Sequence, residues 1–524
     1  MTKTSDPLYD VAIIGAGVAG LYCAWRLLNE NKPKERPRLI VLEKLPRIGG
    51  RLRTGHIKIS DQKIVVEEGG MRFLKGHHRL QKLLSEVGLE DQITPFGMGD
   101  ENNLFSIRGE LFSRDEAQIN NHEKWAKVYN LEKSERNKSP FQIVQEILSK
   151  ITAPYQDLGK WEPNDFFSWV RLRQLEFPKG SGLKVYQWGF RALMEELGLS
   201  NECTQMLIDT GGFSTPFDDM VSAGSGLQLI ASFPEEPEFF TLDNGFEGVP
   251  RALSERVRRR GGEVETGCQV EHVERSGKHL TVVTASHFKP AIRAKKVIIA
   301  LPARPMRQVL KVGKNIDHVR TAHRHLDQIV HMPLTKINLY FETRWWKKHL
   351  KILGGGCFTD MSLAQVYFFE LNTADPNRKF SALTIYSDGR RSNFWRQLQS
   401  LGTEYQHPTM GHEVKSGTDL SVCSVFVVRH AVDQLKRMFD LDDKIPMPLY
   451  ATISMWGGNE IGEGDHQWAI GANDQEIRNM LAKVDDDVHL CGEAISDYQD
   501  WVEGGLRSAD HALQRGFNMP PYIT

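Results

Sequence analysis

The first patterned stretch, "YDVAIIGAGVAGLYCAWRLLNE", begins with an apolar run from Val11 to Ile14, the length of a buried strand. Gly15, Gly17 and Gly20 interrupt it, and apolar positions then recur at helical spacing from Leu21 to Leu28. After a basic, proline-containing loop, "RLIVLEK" predicts a second short strand ending at Glu43. The alternation of strand and helix returns twice more. "LDNGFEGVPRALSERVRRRGGEVETGCQVEHVER" predicts a helix with Pro250 near its first turn, a stop at Gly261 and Gly262, and a strand through Val270. "AKKVIIALPA" predicts a further strand. Near the C-terminus, "DDDVHLCGEAISDYQDWVEGGLRSADHAL" predicts a strand from Val488 to Cys491, then a helix starting around Trp501.

Between these segments the pattern changes. "SPFQIVQEILSKI" and "QWGFRALMEELGL" carry helical periodicity, whereas "TKINLYFE", "KFSALTIYSD" and "LYATISMW" alternate as strands do. No internal repeat or low-complexity segment interrupts them. At 524 residues the chain exceeds one compact core, and two or three domains are expected.

Composition narrows the class without naming it. A charged fraction of 25% is that of a soluble globular protein, and a net charge of -1 gives no reason for a nucleic-acid partner. Six cysteines at 23, 203, 268, 357, 423 and 491 show no C-x-x-C spacing, which points to reduced structural thiols. Eighteen histidines form no HExxH or other ligand spacing, so no metal is expected, and "GHH" at 76–78 is read as a surface loop. The opening "MTKTSDPLYD" has no apolar core of a secretory signal, and no apolar run approaches a membrane span; a cytoplasmic protein with no membrane partner is expected.

The chemistry begins at the glycines. Gly15 permits a tight turn, Gly17 a close approach by a pyrophosphate, and Gly20 close packing of helix on strand. The helix N-terminus then stabilises phosphate charge, and Glu43 is placed to accept hydrogen bonds from an adenosine ribose. In "RIGGRLRTG", a second glycine pair with Arg51 suits a longer dinucleotide whose pyrophosphate needs another cation. "EEGGMRFLKG" at 67–76 sets a permanent cation, Arg72, behind two glycines and among apolar neighbours.

Together "DVAIIGAGVAGLYCAWRL", "VLEK", "GGRLRT" and "EEGGMRF" resemble the N-terminal signature of the flavin-dependent amine oxidase family, and within it L-amino acid oxidases in particular. The resemblance implies an α/β fold. A discontinuous, Rossmann-like FAD domain of glutathione-reductase type would comprise residues 7–68, 243–314 and 484–524. A mixed-sheet α+β substrate domain would comprise 69–111, 233–242 and 315–483, and a helical domain 112–232. It implies FAD contacts by Gly15, Gly17, Gly20, Glu43, Arg51, Met71, Arg72, Val270, Glu493, Trp501 and Val502. The FAD should be noncovalent, because "MWGGNEIGEGDHQWAIGAND" lacks the cysteine that carries the flavin in covalent members.

The same resemblance assigns the reacting face. Lys336, in "MPLTKINLYFETRWW", would hold a water at flavin N5, and Arg72 would pair with a substrate carboxylate. Tyr386 would complete that carboxylate site, with Tyr340 and Tyr367 also available, and Trp501 would form a wall beside the amine. Trp456 and Trp468 are left unassigned. The implied reaction is oxidative deamination of L-amino acids over a broad range, by hydride transfer from Cα to flavin N5. Its products are 2-oxo acids, ammonia and hydrogen peroxide, and dioxygen is the oxidant. Alternatives are an amino acid 2-monooxygenase, a polyamine or monoamine oxidase, and a flavin-binding scaffold without turnover. A homodimer or larger homo-oligomer is the expected assembly.

Overall fold

The computed structural model describes residues 8–99, 101–155, 166–231, 238–285, 291–368, 379–407, 414–416, 420–457 and 462–523. The expected boundaries at 7, 232, 233 and 524 lie outside the described residues, as do 458–461 of the stretch where covalent members carry the flavin-linked cysteine. Among the described residues, no helix is long and apolar enough to cross a membrane.

A seven-stranded sheet is assembled from sequence-distant pieces. Leu8–Ile14 pairs in parallel with Leu39–Leu42 on one side and Ala291–Ile299 on the other. Glu263–Glu265 extends the sheet beyond Leu39–Leu42, and Val488–Leu490 pairs in parallel with the end of Ala291–Ile299. Val270–Ser276 and His279–Thr284 add an antiparallel edge. The unbroken apolar runs follow from burial on both faces. Val11, Ile13, Leu39 and Val41 enter one core with the helices Val18–Asn29, Gly248–Arg259 and Val502–Phe517. Ala12, Ile14, Ile40 and Leu42 enter another with Ala303–Val309 and Val319–Leu326. Each such aliphatic side chain contributes roughly 2 kcal/mol on burial.

An eight-stranded sheet forms the second layer, in the order Ser421–Val422, Tyr450–Trp456, Leu334–Phe341, Ser381–Asp388, Gln365–Tyr367, Gly356–Thr359, Leu104–Ile107, Glu110–Ser113. Leu334–Phe341 lies in its interior, antiparallel to both neighbours. Its odd-numbered residues Ile337, Leu339 and Phe341 pack in an apolar core with the helix Val425–Phe439. Lys336 and Asn338, on the opposite face, meet the "EEGG" segment. Helices Pro140–Thr152, Phe190–Glu196, Asn201–Thr210 and Ala223–Ala231 surround a further core, which Ile107 and Phe112 enter from the edge of the eight-stranded sheet. All six cysteines are buried free thiols; Cys23 and Cys491 bring their sulfurs to 3.8 Å.

Candidate functional site

A cavity of ≈ 1230 Å³ runs from the first strand–helix turn to the face of the eight-stranded sheet. Its first end is a cradle made by glycine. Gly15 has φ +104°, and a Cβ there would come within 2.4 Å of the Ala300 carbonyl oxygen. At Gly20 a Cβ would meet the Gly15 carbonyl oxygen at 2.0 Å, so helix and turn touch only because position 20 has no side chain. Around Gly17 the same test finds no protein atom within 4 Å. That open side lines the cavity at the N-terminus of Val18–Asn29, a helix end that no side chain caps. Backbone N–H groups and dipole suit an anionic phosphate there. Glu43 also lines the cavity, held by the amides of Ala16 and Leu45, each 2.9 Å from one carboxylate oxygen. Val270 and its neighbours Gln269 and Glu271 line the wall beyond Glu43.

Arg51 and Glu493 meet across the middle of the cavity wall. Arg51 donates to the Gly464 carbonyl at 2.7 Å and, by a short contact, to Glu493. Glu493 also accepts from the Asp500 amide at 2.7 Å and pairs with His466 Nδ1 at 2.9 Å, while His466 Nε2 lies 3.0 Å from Glu463. Burial pushes the Glu493 carboxyl up, yet Arg51 and His466 overcome this and hold it down to about 2. Burial would lower the His466 pKa, but Glu493 and Glu463 raise it above the usual range. Asp465 and Asp500 lie beside this group on the cavity wall. Burial, with Asp465 and Glu493 adding to it, pushes the Asp500 carboxyl well up. Nothing in the local pattern around Asp465, His466 or Asp500 singles them out. Their grouping arises because the strand Asp465–Trp468 and the turn before Val502 come together in space.

The other end holds the reacting-face candidates. Gly69 lacks a side chain because a Cβ would fall 1.8 Å from the Arg51 carbonyl oxygen, and at Gly70 it would meet Leu52 at 2.8 Å. The acidic pair before them ties this loop to both layers. Glu67 accepts from the Phe246 amide and the Thr54 hydroxyl, and Glu68 from Asn338, Thr452 and Ser454. Lys336 donates to the carbonyls of Gly69 at 2.5 Å and Glu67 at 3.2 Å. Burial drives the Lys336 pKa down to about 7, with Arg72 adding to the fall and Glu67 and Glu68 opposing it. Burial likewise lifts Glu67 to about 8.

Arg72 emerges from this loop only 7% exposed. Its guanidinium donates to the Tyr367 hydroxyl at 2.9 Å and lies 5.0–5.5 Å from the ring centres of Phe239, Tyr367 and Phe96. Met71, Phe96, Phe239 and Tyr367 form one apolar cluster, against which Tyr386 and Trp501 pack. Tyr386 stands opposite Lys336 in the sheet register, with the amine 4.9 Å from its ring centre. Burial pushes its hydroxyl pKa well up. Trp501 precedes the helix Val502–Phe517, whose N-terminus, like that of the first helix, carries no side-chain cap and opens on the cavity at Val502.

Every residue assigned a cofactor or substrate role from the sequence lines this cavity except Gly20, which shapes it from behind; of the two further tyrosines offered for the carboxylate, neither lines it, and Tyr367 instead packs behind Arg72. Tyr340 does not line it but sits in a separate core, while Trp456 is on the wall and Trp468 is buried away from it. "GHH" is not simply a surface loop. His77 is 2% exposed and stacks edge-on against Trp501, with ring centres 4.9 Å apart, and its Nε2 lies 3.3 Å from the Tyr498 hydroxyl. Among the described residues, two groups have the reach of a metal site, His331–Glu463–His466 and Asp465–Glu493–Asp500. In the first, Glu463 already carries contacts from both histidines and from Arg304.

Residues 18–404 match the family described as flavin containing amine oxidoreductase. Aplysianin-A of Aplysia kurodai is 22% identical, over 98% of this chain and 91% of its own length. The flavin-dependent L-tryptophan oxidase of Lentzea aerocolonigenes is also 22% identical, over 96% and 97%. Mouse L-amino-acid oxidase is 26% identical over 70% of this chain and 52% of its own. Cyclohexylamine oxidase from Brevibacterium oxydans IH-35A shares the fold with a TM-score of 0.66 at 16% identity, each chain covered to 98%. The glycine cradle, the two uncapped helix ends and the elongated cavity fit a flavin dinucleotide, and the family match extends over most of the chain. The chain belongs to the flavin containing amine oxidoreductases, with FAD as its cofactor.

Proposed function

We propose that the protein is an L-amino acid oxidase. It would convert a range of L-amino acids, with dioxygen and water, into 2-oxo acids, ammonia and hydrogen peroxide. One observation carries this reading: a buried, permanently charged guanidinium, Arg72, on the cavity wall beside Tyr386 and Trp501. A carboxylate paired with it gains charge-assisted hydrogen bonds in a fixed plane, whereas an amine without a carboxylate brings only a second cation.

FAD, when bound, would supply a two-electron acceptor that dioxygen can reoxidise. The chain supplies positions and charge. In the proposed site Gly15, Gly17 and Gly20 shape the phosphate cradle. Glu43 holds the ribose, and Arg51, Glu493 and Val502 take the middle and pyrimidine end of a noncovalently held cofactor. Met71 and Val270 contribute wall contacts. Arg72 and the Tyr386 hydroxyl hold the substrate carboxylate, and Trp501 closes the side where the amine lies. Holding the Cα–H in one orientation is the main catalytic contribution of such a clamp. Lys336 holds its amine near the reacting end and positions a water between the two layers. The domain division at 7–68, 69–111, 112–232, 233–242, 243–314, 315–483 and 484–524, and assembly as a homo-oligomer, belong to the same reading.

A second reading has an observation of its own. Asp465 and Asp500 put carboxyl groups on the same wall, which would suit the cationic nitrogen of a polyamine or monoamine. Product analysis separates the possibilities. Incubation of the purified yellow protein with L-phenylalanine should yield one 2-oxo acid, one ammonia and one peroxide per dioxygen. An amide and carbon dioxide would replace this reading with a 2-monooxygenase, and turnover of amines alone would replace it with an amine oxidase.

A further inference from the structure

Behind Arg72 runs a chain of hydrogen bonds that the proposed chemistry does not itself require. Arg72 Nη1 donates to the Tyr367 hydroxyl at 2.9 Å, Tyr367 donates to Gln365 Oε1, and Gln365 Nε2 donates to the Gly212 carbonyl at 2.8 Å. Tyr367 and Gln365 are each 1% exposed, so water does not compete for these bonds. Their strand fixes them further, with Gln365 opposite Tyr386 and Tyr367 opposite Thr384.

The surroundings are shaped to this chain. A Cβ on Gly356 would come within 2.9 Å of the Tyr367 ring. At Gly212, where φ is +73°, it would meet Phe358 at 2.8 Å and the Gln365 amide carbon at 3.1 Å. Glycine at both places leaves room for the phenol and for the amide that anchors it. The direction of the chain is also set. Gln365 gives its N–H to a carbonyl, so its oxygen faces Tyr367, and the Tyr367 proton goes to that oxygen. What Tyr367 turns toward Arg72 is therefore a lone pair. It accepts from the guanidinium and has no proton left for a substrate carboxylate.

We propose that Tyr367, anchored by Gln365, is a positioning residue that holds the Arg72 fork in the plane a carboxylate needs, and so sets the preference for substrates bearing an α-carboxylate over amines lacking one. The inference rests on reading Arg72 as the substrate clamp. An arginine side chain has several rotatable bonds, and a two-pronged pair forms only when they are already ordered. The segment that anchors Gln365 through Gly212 also places Phe213 and Pro216 on the cavity wall. The same chain thus registers that wall against the cation.

The test uses holoenzyme carrying Tyr367→Phe, Gln365→Leu or Arg72→Ala. Steady-state kinetics are measured with L-phenylalanine and with phenethylamine. Dissociation constants for 3-phenylpropionate, a carboxylate without an amine, are read from the visible flavin spectrum. Loss of one hydrogen bond to a charged group should raise the KM for L-phenylalanine and the Kd for 3-phenylpropionate about ten-fold in Tyr367→Phe, with kcat far less affected and the KM for phenethylamine unmoved. Gln365→Leu should move the same constants in the same direction, and it carries the test if Tyr367→Phe fails to fold. Unchanged 3-phenylpropionate binding in both variants, with strong weakening in Arg72→Ala, overturns this inference and leaves the clamp intact. Unchanged binding in Arg72→Ala overturns the clamp and the inference with it. Equal losses for amino acid and amine would reduce Tyr367 to a packing residue and also overturn it.

Discussion

The Nζ of Lys336 lies 2.5 Å from the carbonyl oxygen of Gly69, joining the interior of the eight-stranded sheet to the glycine pair that leads into Arg72. This bond makes the loop's position depend on a buried amine, and the amine shares its surroundings with the buried carboxyl of Glu67.

The pair gives stability a defined pH dependence. Glu67, lifted to about 8, keeps its proton in the folded state across a range where the unfolded chain has lost it, so its contribution falls as pH rises toward 8. Lys336, lowered to about 7, has the opposite sign: above that pH the folded state sheds a proton the unfolded chain retains, and stability rises. The two slopes oppose each other between about 7 and 8, so their joint contribution falls toward that range from the acid side and rises beyond it on the alkaline side. Denaturant titrations from pH 5 to 10 should find the resulting minimum in the native protein. It should be absent in Lys336→Met/Glu67→Gln.

Arg72→Ala should keep its flavin and lose about a hundred-fold or more in kcat/KM for L-amino acids, since it removes a charge-assisted, two-pronged pair. Flavin content and kinetics measured on one preparation check this. A variant that loses FAD while the flavin-loaded fraction keeps normal kinetics would assign the cation to the cofactor.

The three glycines of the first turn should separate by function. A methyl group at position 17 points into open cavity, so Gly17→Ala should leave the fold intact and weaken FAD binding. At position 20 it would lie 2.0 Å from a backbone oxygen, and Gly20→Ala should lower the melting temperature even of flavin-free protein. Apoprotein melting curves together with flavin titration distinguish the two effects.

Much of the layout was legible because it obeys local rules. Doubly buried strands read as unbroken apolar runs, and the turn at Gly15–Gly20 needs glycine for reasons that a sequence states directly. Lys336 was conspicuous because a cation in an alternating strand is unusual wherever its face is covered. The reason for Gly69 and Gly70 was not legible in the same way. They make room for Arg51 and Leu52, a contact between the two glycine-rich loops that neither loop reveals alone. His77 was misread because a histidine pair after a glycine has the composition of a surface loop. Only the fold turns one ring inward onto Trp501 and the other to solvent. Asp465, His466 and Asp500 carry no local signature, since each gains neighbours from segments far away in the chain; Tyr367 was available as a substrate phenol, but its bond to Arg72, 295 residues away, is legible only in the fold.

The account stands most directly on anaerobic mixing of the purified flavoprotein with matched pairs: L-phenylalanine and phenethylamine, L-ornithine and putrescine, L-leucine and isopentylamine. If Arg72 receives a substrate carboxylate, the yellow absorbance should bleach rapidly with the amino acid of each pair and slowly or not at all with its amine. Bleaching by the amines, with the amino acids inert, would contradict it.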